Sequence, residues 1–270
     1  MLPLHQISFQ RKFPEKLTRS FCMMKKIFSK MKHLSSPRQS SRETALLSRV
    51  AEHAFDAKER QRKALMLDYQ LCNLQVDNQT KVPVINSYAV TGNLPNRTIA
   101  FHEAMSVTQT DYNAIVHFYE SDEFFMRLFR DPDKYVPKLR QYSYVISPDM
   151  SQYIEMPYYS RYANNCHNKA MAQYLQRQGV NIIANVTWSL PDSYEYCFAG
   201  IPKGTTIAIN SNGVNASSYS KYLWYHGYEE ALRHLQPTCI IRYGQKMEGE
   251  REDISVYYDN TYLRRMKYGR

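Results

Sequence analysis

Between Tyr142 and Tyr243 the chain repeats one unit: a short apolar run, a polar or glycine stop, then a helical stretch. The four runs are "YSYVISPDMS", "VNIIANVTW", "TTIAINSNG" and "TCIIRYG". Each is rich in β-branched residues and carries no polar alternation, the pattern of strands buried on both faces of a parallel sheet. The segments between them are helical. In "YSRYANNCHNKAMAQYLQRQG", Tyr162, Cys166, Ala170 and Tyr174 recur every four residues and Gly179 supplies a C-terminal cap. In "SKYLWYHGYEEALRHLQP", Leu223, Tyr228, Leu232 and Leu235 mark one face and Pro237 follows its end. Strands alternating with helices of this length predict βαβ units. The expected fold is α/β: a mostly parallel sheet of four to five strands, as an open sheet or incomplete barrel, preceded by a helical basic N-terminal extension.

In such sheets ligands bind at the carboxyl ends of the strands. Those ends carry Asp149, Asn185, Trp188, Asn210, Asn212 and Tyr243. These side chains can hydrogen-bond and stack around one carboxylate, so they form a candidate pocket. His226 and Glu229 are read at the start of the last helix and, three residues apart, share one of its faces. With that helix starting near the strand ends, both approach Asp149 and complete an acid/base set for hydrolysis. The competing structural reading is that Pro-Asp and Asn-Gly form turns, that Glu229 favours a helix N-terminus, and that His226 is a surface residue.

Several longer stretches carry a family likeness. "SPDMS" (147–151), Pro157, "GVNIIANVTW" (179–188), "FAGIPKGTTIAINSNG" (198–213) and "HGYEEALRHLQPTCIIRYG" (226–244) resemble the uncharacterised DUF4417 family of bacteria, their phages and mobile elements. The resemblance covers roughly the last two thirds of the chain. It implies a prokaryotic or phage origin and transfers no reaction and no catalytic residue.

Charge divides the chain differently. Residues 1–66 hold 15 Lys/Arg against 5 Asp/Glu, net +10, whereas residues 67–270 hold 20 of each. The whole excess therefore lies in the N-terminal quarter, as in a basic arm that meets a polyanion. The expected organisation is a basic arm over 1–40, a helix over 41–75 and an α/β domain over 76–270 with its core at 142–244. The arm has three readings: a disordered nucleic-acid-binding segment, an amphipathic surface helix with Met24, Ile27, Phe28 and Met31 on one face, or a translation-start artefact. Ser40 and Glu43 read as a capping box opening the helix. Its stripe is Leu46, Val50, Ala54 and Ala57. Lys25, Lys26, Lys30, Lys32, Arg60, Arg62 and Lys63 are the candidate phosphate contacts.

The segment before the core reads as "TIAFHE" (98–103), a further possible strand with His102 and Glu103 at its end near the pocket, which makes His102 a further catalytic candidate although the two side chains of the dipeptide fall on opposite faces; two short helices follow. The first would start at Thr110 with Tyr112, Ile115, Val116 and Tyr119 inward. The second, "SDEFFMRLFRDP", would bury Phe124, Phe125, Leu128 and Phe129. At the other end, Tyr262 and Tyr268 interleave with Arg264, Arg265, Lys267 and Arg270, a pattern suited to single-stranded nucleic acid or to a fraying terminus.

Composition excludes several classes. Nine glycines and no G-x-G-x-x-G or Walker A loop disfavour a nucleoside-triphosphate enzyme. There is no H-E-x-x-H and no G-x-S-x-G elbow. No cofactor and no metal site is expected. The five cysteines, Cys22, Cys72, Cys166, Cys197 and Cys239, have no C-x-x-C spacing and read as reduced thiols of the cytoplasm. No run reaches the length of a transmembrane segment. Two functions fit. One is a nucleic-acid-associated protein of a phage or mobile element, binding through its basic arm, with the α/β body as scaffold or as a module for another phage or host protein. The other is a small-molecule or nucleotide hydrolase with its pocket around Asp149, Trp188 and Asn210.

Overall fold

The strands are three to five residues long, and in the first six nearly every position is buried, because each lies between a helical layer and a second apolar surface; the last, Ser255–Tyr258, buries only Tyr258. A computed structural model describes residues 37–66, 69–70, 73–86, 90 and 93–259. The chain divides into two units, 1–60 and 61–270.

The second unit is built on seven strands: β1 Thr98–Ala100, β2 Ile115–His117, β3 Tyr144–Ile146, β4 Ile182–Asn185, β5 Thr206–Asn210, β6 Cys239–Tyr243 and β7 Ser255–Tyr258. Every neighbouring pair is parallel and the order in the sheet is the order in the chain. A sheet wound in one direction puts its crossovers on one face and curls around the other. The result is a half-barrel with all strand carboxyl ends at one rim.

The two faces form separate clusters. On the concave side Ile115, Tyr144, Ile146, Ile183, Ala208, Ile241, Tyr243 and Tyr258 pack together. On the other side the larger cluster includes Phe125, Leu128, Phe129, Met171, Leu175, Trp224 and Ala231 from the helices. Tyr258 donates its hydroxyl to the Pro95 carbonyl at 2.6 Å, linking the last strand to the lead-in of the first.

Among the described residues the expected four to five strands are therefore seven. β2 lies where the spacing predicts a helix: Ile115, Val116 and Tyr119 satisfy a helical stripe, but three consecutive buried residues, Ile115–His117, need a strand between two layers. β7, the "SVYY" run, carries no flanking helix to announce it. The reading of "TIAFHE" as one strand is shortened. β1 ends at Ala100 and a helical turn, α1, runs Phe101–Ala104, carrying His102.

The remaining helices are α2 Pro37–Ala64, α3 Asp122–Arg130, α4 Val136–Leu139, α5 Tyr158–Arg177, α6 Tyr194–Cys197 and α7 Ser218–Leu235. α2 begins at Pro37 rather than at a capping box on Ser40; proline is favoured at the first helical position because no N–H is needed there. Along it Val50, Ala54 and Ala57 are exposed. α3 buries Phe125, Leu128 and Phe129 as expected, but Phe124 is 46% exposed. α5 ends as its spacing predicts, with Gly179 at φ +79°. α7 opens at Ser217, whose hydroxyl accepts from the Ser220 N–H. His226 and Glu229 consequently fall in the middle of α7 rather than at its start.

Among the described residues no helix is long and apolar enough to cross a membrane. Lys25, Lys26, Lys30, Lys32 and the aromatic-basic tail beyond residue 259 lie outside the described residues.

Candidate functional site

At the rim of the half-barrel three polar side chains converge on Asp149, which follows β3 through Ser147 and Pro148. Asn185, ending β4, donates its Nδ2 to Asp149 Oδ1 at 2.8 Å. Thr187, two residues further, donates its hydroxyl to the same oxygen at 2.6 Å. Asn210, ending β5, donates its Nδ2 to Asp149 Oδ2 at 3.2 Å. The three strand ends named from the sequence thus meet at one carboxylate.

The amide orientations follow from their other bonds. Asn210 Oδ1 accepts the Asn212 N–H at 3.0 Å, so its amino end is left for Asp149. The turn chemistry anticipated for Asn210 and the carboxylate contact are therefore two ends of one amide. Asn185 Oδ1 accepts the Tyr119 hydroxyl at 2.9 Å, which turns its amino end to Asp149 in the same way.

The loop that carries Asp149 is held from both sides. Asn168 of α5 accepts the Met150 N–H at 2.9 Å, and Asn164 donates to the Ser151 carbonyl at 2.7 Å. Asp122, the first residue of α3, accepts from the Ser151 hydroxyl at 3.0 Å and from its N–H at 3.1 Å. Asn164 and Asn168 are one helical turn apart and face the loop together.

All of the groups on Asp149 are neutral. Burial raises its pKa to about 6, against the opposing pull of the Thr187, Asn185 and Asn210 hydrogen bonds. Oδ1 receives two short bonds and Oδ2 a single longer one, so Oδ2 is the oxygen on which a proton is best held. A carboxyl that titrates near neutrality can both give and take a proton.

Beside this cluster lies a cavity of about 370 Å³ between the ends of β4 and β5 and the first turns of α7. Thr187 and Asn210, which hydrogen-bond Asp149, also form part of its wall. Trp188, Asn212, Leu223 and Trp224 complete much of the remainder. Trp188 donates its indole N–H to the Leu223 carbonyl at 3.1 Å, and its ring lies against Gly227, where an added Cβ would meet the indole at 2.0 Å. Trp224 donates to the Asn210 carbonyl at 3.1 Å.

The remaining residues singled out from the sequence lie elsewhere. Tyr243 is buried on the concave face, 4.4 Å from the His117 ring and 5.0 Å from Tyr119, as a support beneath the rim. His226 and Glu229 are exposed on α7, His226 against the Tyr222 ring at 4.2 Å. Among the described residues no hydrogen bond or ion pair joins either of them to Asp149. Lys63 pairs with Asp131 at 3.2 Å, while Arg60 and Arg62 are exposed.

Four residues at the rim carry no mark in the sequence. Thr187 sits inside the apolar "NVTW" run. Tyr119 lies in a segment that reads as helix. Gln152 is six residues past its strand. Glu120 forms a hydrogen-bonded pair with His102 across the ends of β1 and β2, and burial raises its pKa. The His102 side chain was visible as a candidate, but its partner is eighteen residues away and meets it only through β1–β2 pairing.

Comparison with known proteins places this arrangement in a phage-associated family. The chain is 28% identical to the "Gene 1 protein" of Mycobacterium phage L5 over 155 residues, 57% of this chain and 68% of that protein. It is 30% identical to the "Gene 1 protein" of Mycobacterium phage D29 over 130 residues, 48% of this chain and 48% of that protein. No solved structure matches. The family model described as "Domain of unknown function (DUF4417)" matches residues 76–260, the whole of the half-barrel, and the chain belongs to the DUF4417 family.

Proposed function

We propose that the half-barrel is an enzyme acting on a neutral organic molecule bound between the ends of β4 and β5, with Asp149 as the group that transfers a proton in a hydrolytic step. One observation carries this reading. A carboxylate is held at the strand ends by neutral donors alone, two of which also wall the adjoining cavity. A structural carboxylate in such a place would be expected to have a cation; this one is left free to titrate. Its protonated form can donate to a leaving group, and its ionised form can take a proton from water.

The test is turnover of a panel of nucleosides, glycosides and esters by the full chain and by Asp149→Asn. The expected result is activity with an inflection near pH 6 and a loss of about 10²- to 10⁴-fold in the variant. Full activity in Asp149→Asn would remove Asp149 from the reaction.

A second reading is favoured by the net +10 confined to residues 1–66. In it the N-terminal quarter binds nucleic acid through Lys25, Lys26, Lys30, Lys32, Arg60 and Arg62, as suits a protein similar to phage gene products. Neutralising these six to Gln in the full chain should flatten the salt dependence of binding by several units of slope. An unchanged slope would end this reading while leaving the first intact.

A further inference from the structure

The Asn185 amide has one oxygen and two N–H groups, and all three are engaged. Its Oδ1 accepts the Tyr119 hydroxyl at 2.9 Å, while its Nδ2 donates to Asp149 Oδ1 at 2.8 Å and to the Thr187 hydroxyl at 2.9 Å. Having accepted from Asn185, the Thr187 hydroxyl turns its own proton to Asp149 Oδ1, at 2.6 Å. Two of the three donors on Asp149 thus take their direction from one hydroxyl on the far side of an amide; only Asn210 is set independently. The Asn185 backbone N–H donates to the Ser147 hydroxyl at 2.8 Å, which fixes the backbone beneath the amide.

Tyr119 is held in place and kept a donor. It follows β2, and its N–H donates to His117 Nδ1 at 3.2 Å. Its buried ring stacks on the His117 imidazole at 5.4 Å and lies 5.0 Å from the Tyr243 ring. Burial holds the phenol well above its ordinary range, with the Asp149 charge adding to the effect, so the hydroxyl keeps its proton. Burial also pushes His117 down to about 3, so the imidazole is neutral wherever Asp149 titrates. The other charged neighbours are Asp122 at the start of α3, which pushes the Asp149 pKa up, the Arg242 guanidinium, which bears on Tyr119 from β6, and Glu155 on the wall of the adjoining cavity.

We propose that Tyr119 is a positioning residue for Asp149: its hydroxyl, reaching from the end of β2 to the end of β4, fixes the Asn185 amide so that both of its N–H groups serve the carboxylate cluster. The inference rests on the reading of Asp149 as the titrating group of the site, and it adds what sets the proton affinity of that group. Without the hydroxyl, Asn185 Oδ1 has no donor in its present orientation. Ionised Asp149 holds the amide there and leaves the buried oxygen unmet. Protonated Asp149 lets the amide turn, and Oδ1 then accepts from the carboxyl or from Thr187. Loss of the hydroxyl therefore penalises the ionised form and raises the midpoint, on the order of one pH unit.

The test is a carboxyl ¹³C NMR titration of the full chain as wild type, Tyr119→Phe, Asn185→Leu and the double variant. Tyr119→Phe keeps the ring between His117 and Tyr243 and removes only the hydroxyl. The Asp149 midpoint should rise by about one pH unit in Tyr119→Phe and by at least as much in Asn185→Leu. The double variant should match Asn185→Leu to within about 0.3 unit, because the hydroxyl acts only through the amide. A midpoint in Tyr119→Phe that is unmoved or lowered overturns the proposal. So does an equal rise from Tyr119→Phe with and without Asn185, which would make ring packing the cause. A wild-type measurement covers the case of a misfolded variant. In equal parts of water and D₂O the Tyr119 Cζ resonance should split in two, since a hydroxyl held in a buried bond exchanges slowly; a single averaged line overturns the proposal. None of these readings needs a substrate, so the two ideas fail separately. Full turnover by Asp149→Asn removes the catalytic reading and leaves the midpoint shift standing. An unmoved midpoint in Tyr119→Phe removes the positioning role and leaves Asp149 as the reactive group.

Discussion

Two carboxylates of this molecule, one buried and one partly exposed, are handled in opposite ways. Glu250 lies on the helix side of β6, where its side chain and that of Arg242 are fully buried and joined at 2.6 Å. Arg242 also donates to the Ile209 carbonyl and lies 5.1 Å from the Trp224 ring, and Glu250 accepts the Met247 N–H. Asp149, at the rim, receives three neutral donors and, among the described residues, no cation. The first arrangement joins carboxylate to guanidinium and locks one loop to the sheet. The second keeps a proton exchangeable. A fold that spends an arginine on one carboxylate and withholds it from the other distinguishes a structural anchor from a reactive group.

That contrast can be broken most severely at Arg242. Arg242→Met leaves Glu250 buried without its cation and should cost about 3–5 kcal/mol in urea denaturation, while Arg242→Met with Glu250→Leu should recover most of the loss. Recovery of nothing would mean that the pair positions the loop rather than satisfying a charge. Next is Gly227→Ala, on the wall behind the cavity. The added methyl would meet the Trp188 indole at 2.0 Å, so the ring must move, at a cost of about 1–3 kcal/mol and with a shift in tryptophan emission. An unshifted spectrum would show that Trp188 is free to adapt and is a poor wall.

An effect of similar size is expected at Asp149 itself and concerns its pH dependence. Its pKa in the folded chain, about 6, lies above the ordinary value of 3.8, so its contribution to stability is fully present below about pH 4 and is lost as pH rises through 6. Discounted for its partial exposure, the loss should be about 2 kcal/mol relative to Asp149→Asn over that window. A wild type that gains stability over Asp149→Asn between pH 4 and 6.5 would reverse the sign and make Asp149 an anchor like Glu250.

Much of this was legible in the residues. β3 to β6 were announced by β-branched runs bounded by polar stops, and their ends named Asp149, Asn185 and Asn210 before any of them was seen to touch. β2 and β7 were not, because strands of three or four residues carry too little periodicity to outweigh a helical stripe or a tail. His226 and Glu229 were placed beside Asp149 by starting α7 eight residues late. Ser217, the residue that caps α7, sits in a run of serines where several positions could serve.

The central claim is that Asp149 exchanges a proton near neutrality. A carboxyl ¹³C NMR titration of the full chain, with Asp149→Asn to assign the resonance, tests it most directly. The account predicts a resonance missing from the variant that titrates near pH 6. A midpoint at or below about 4, the range of an ordinary or cation-paired aspartate, would contradict it.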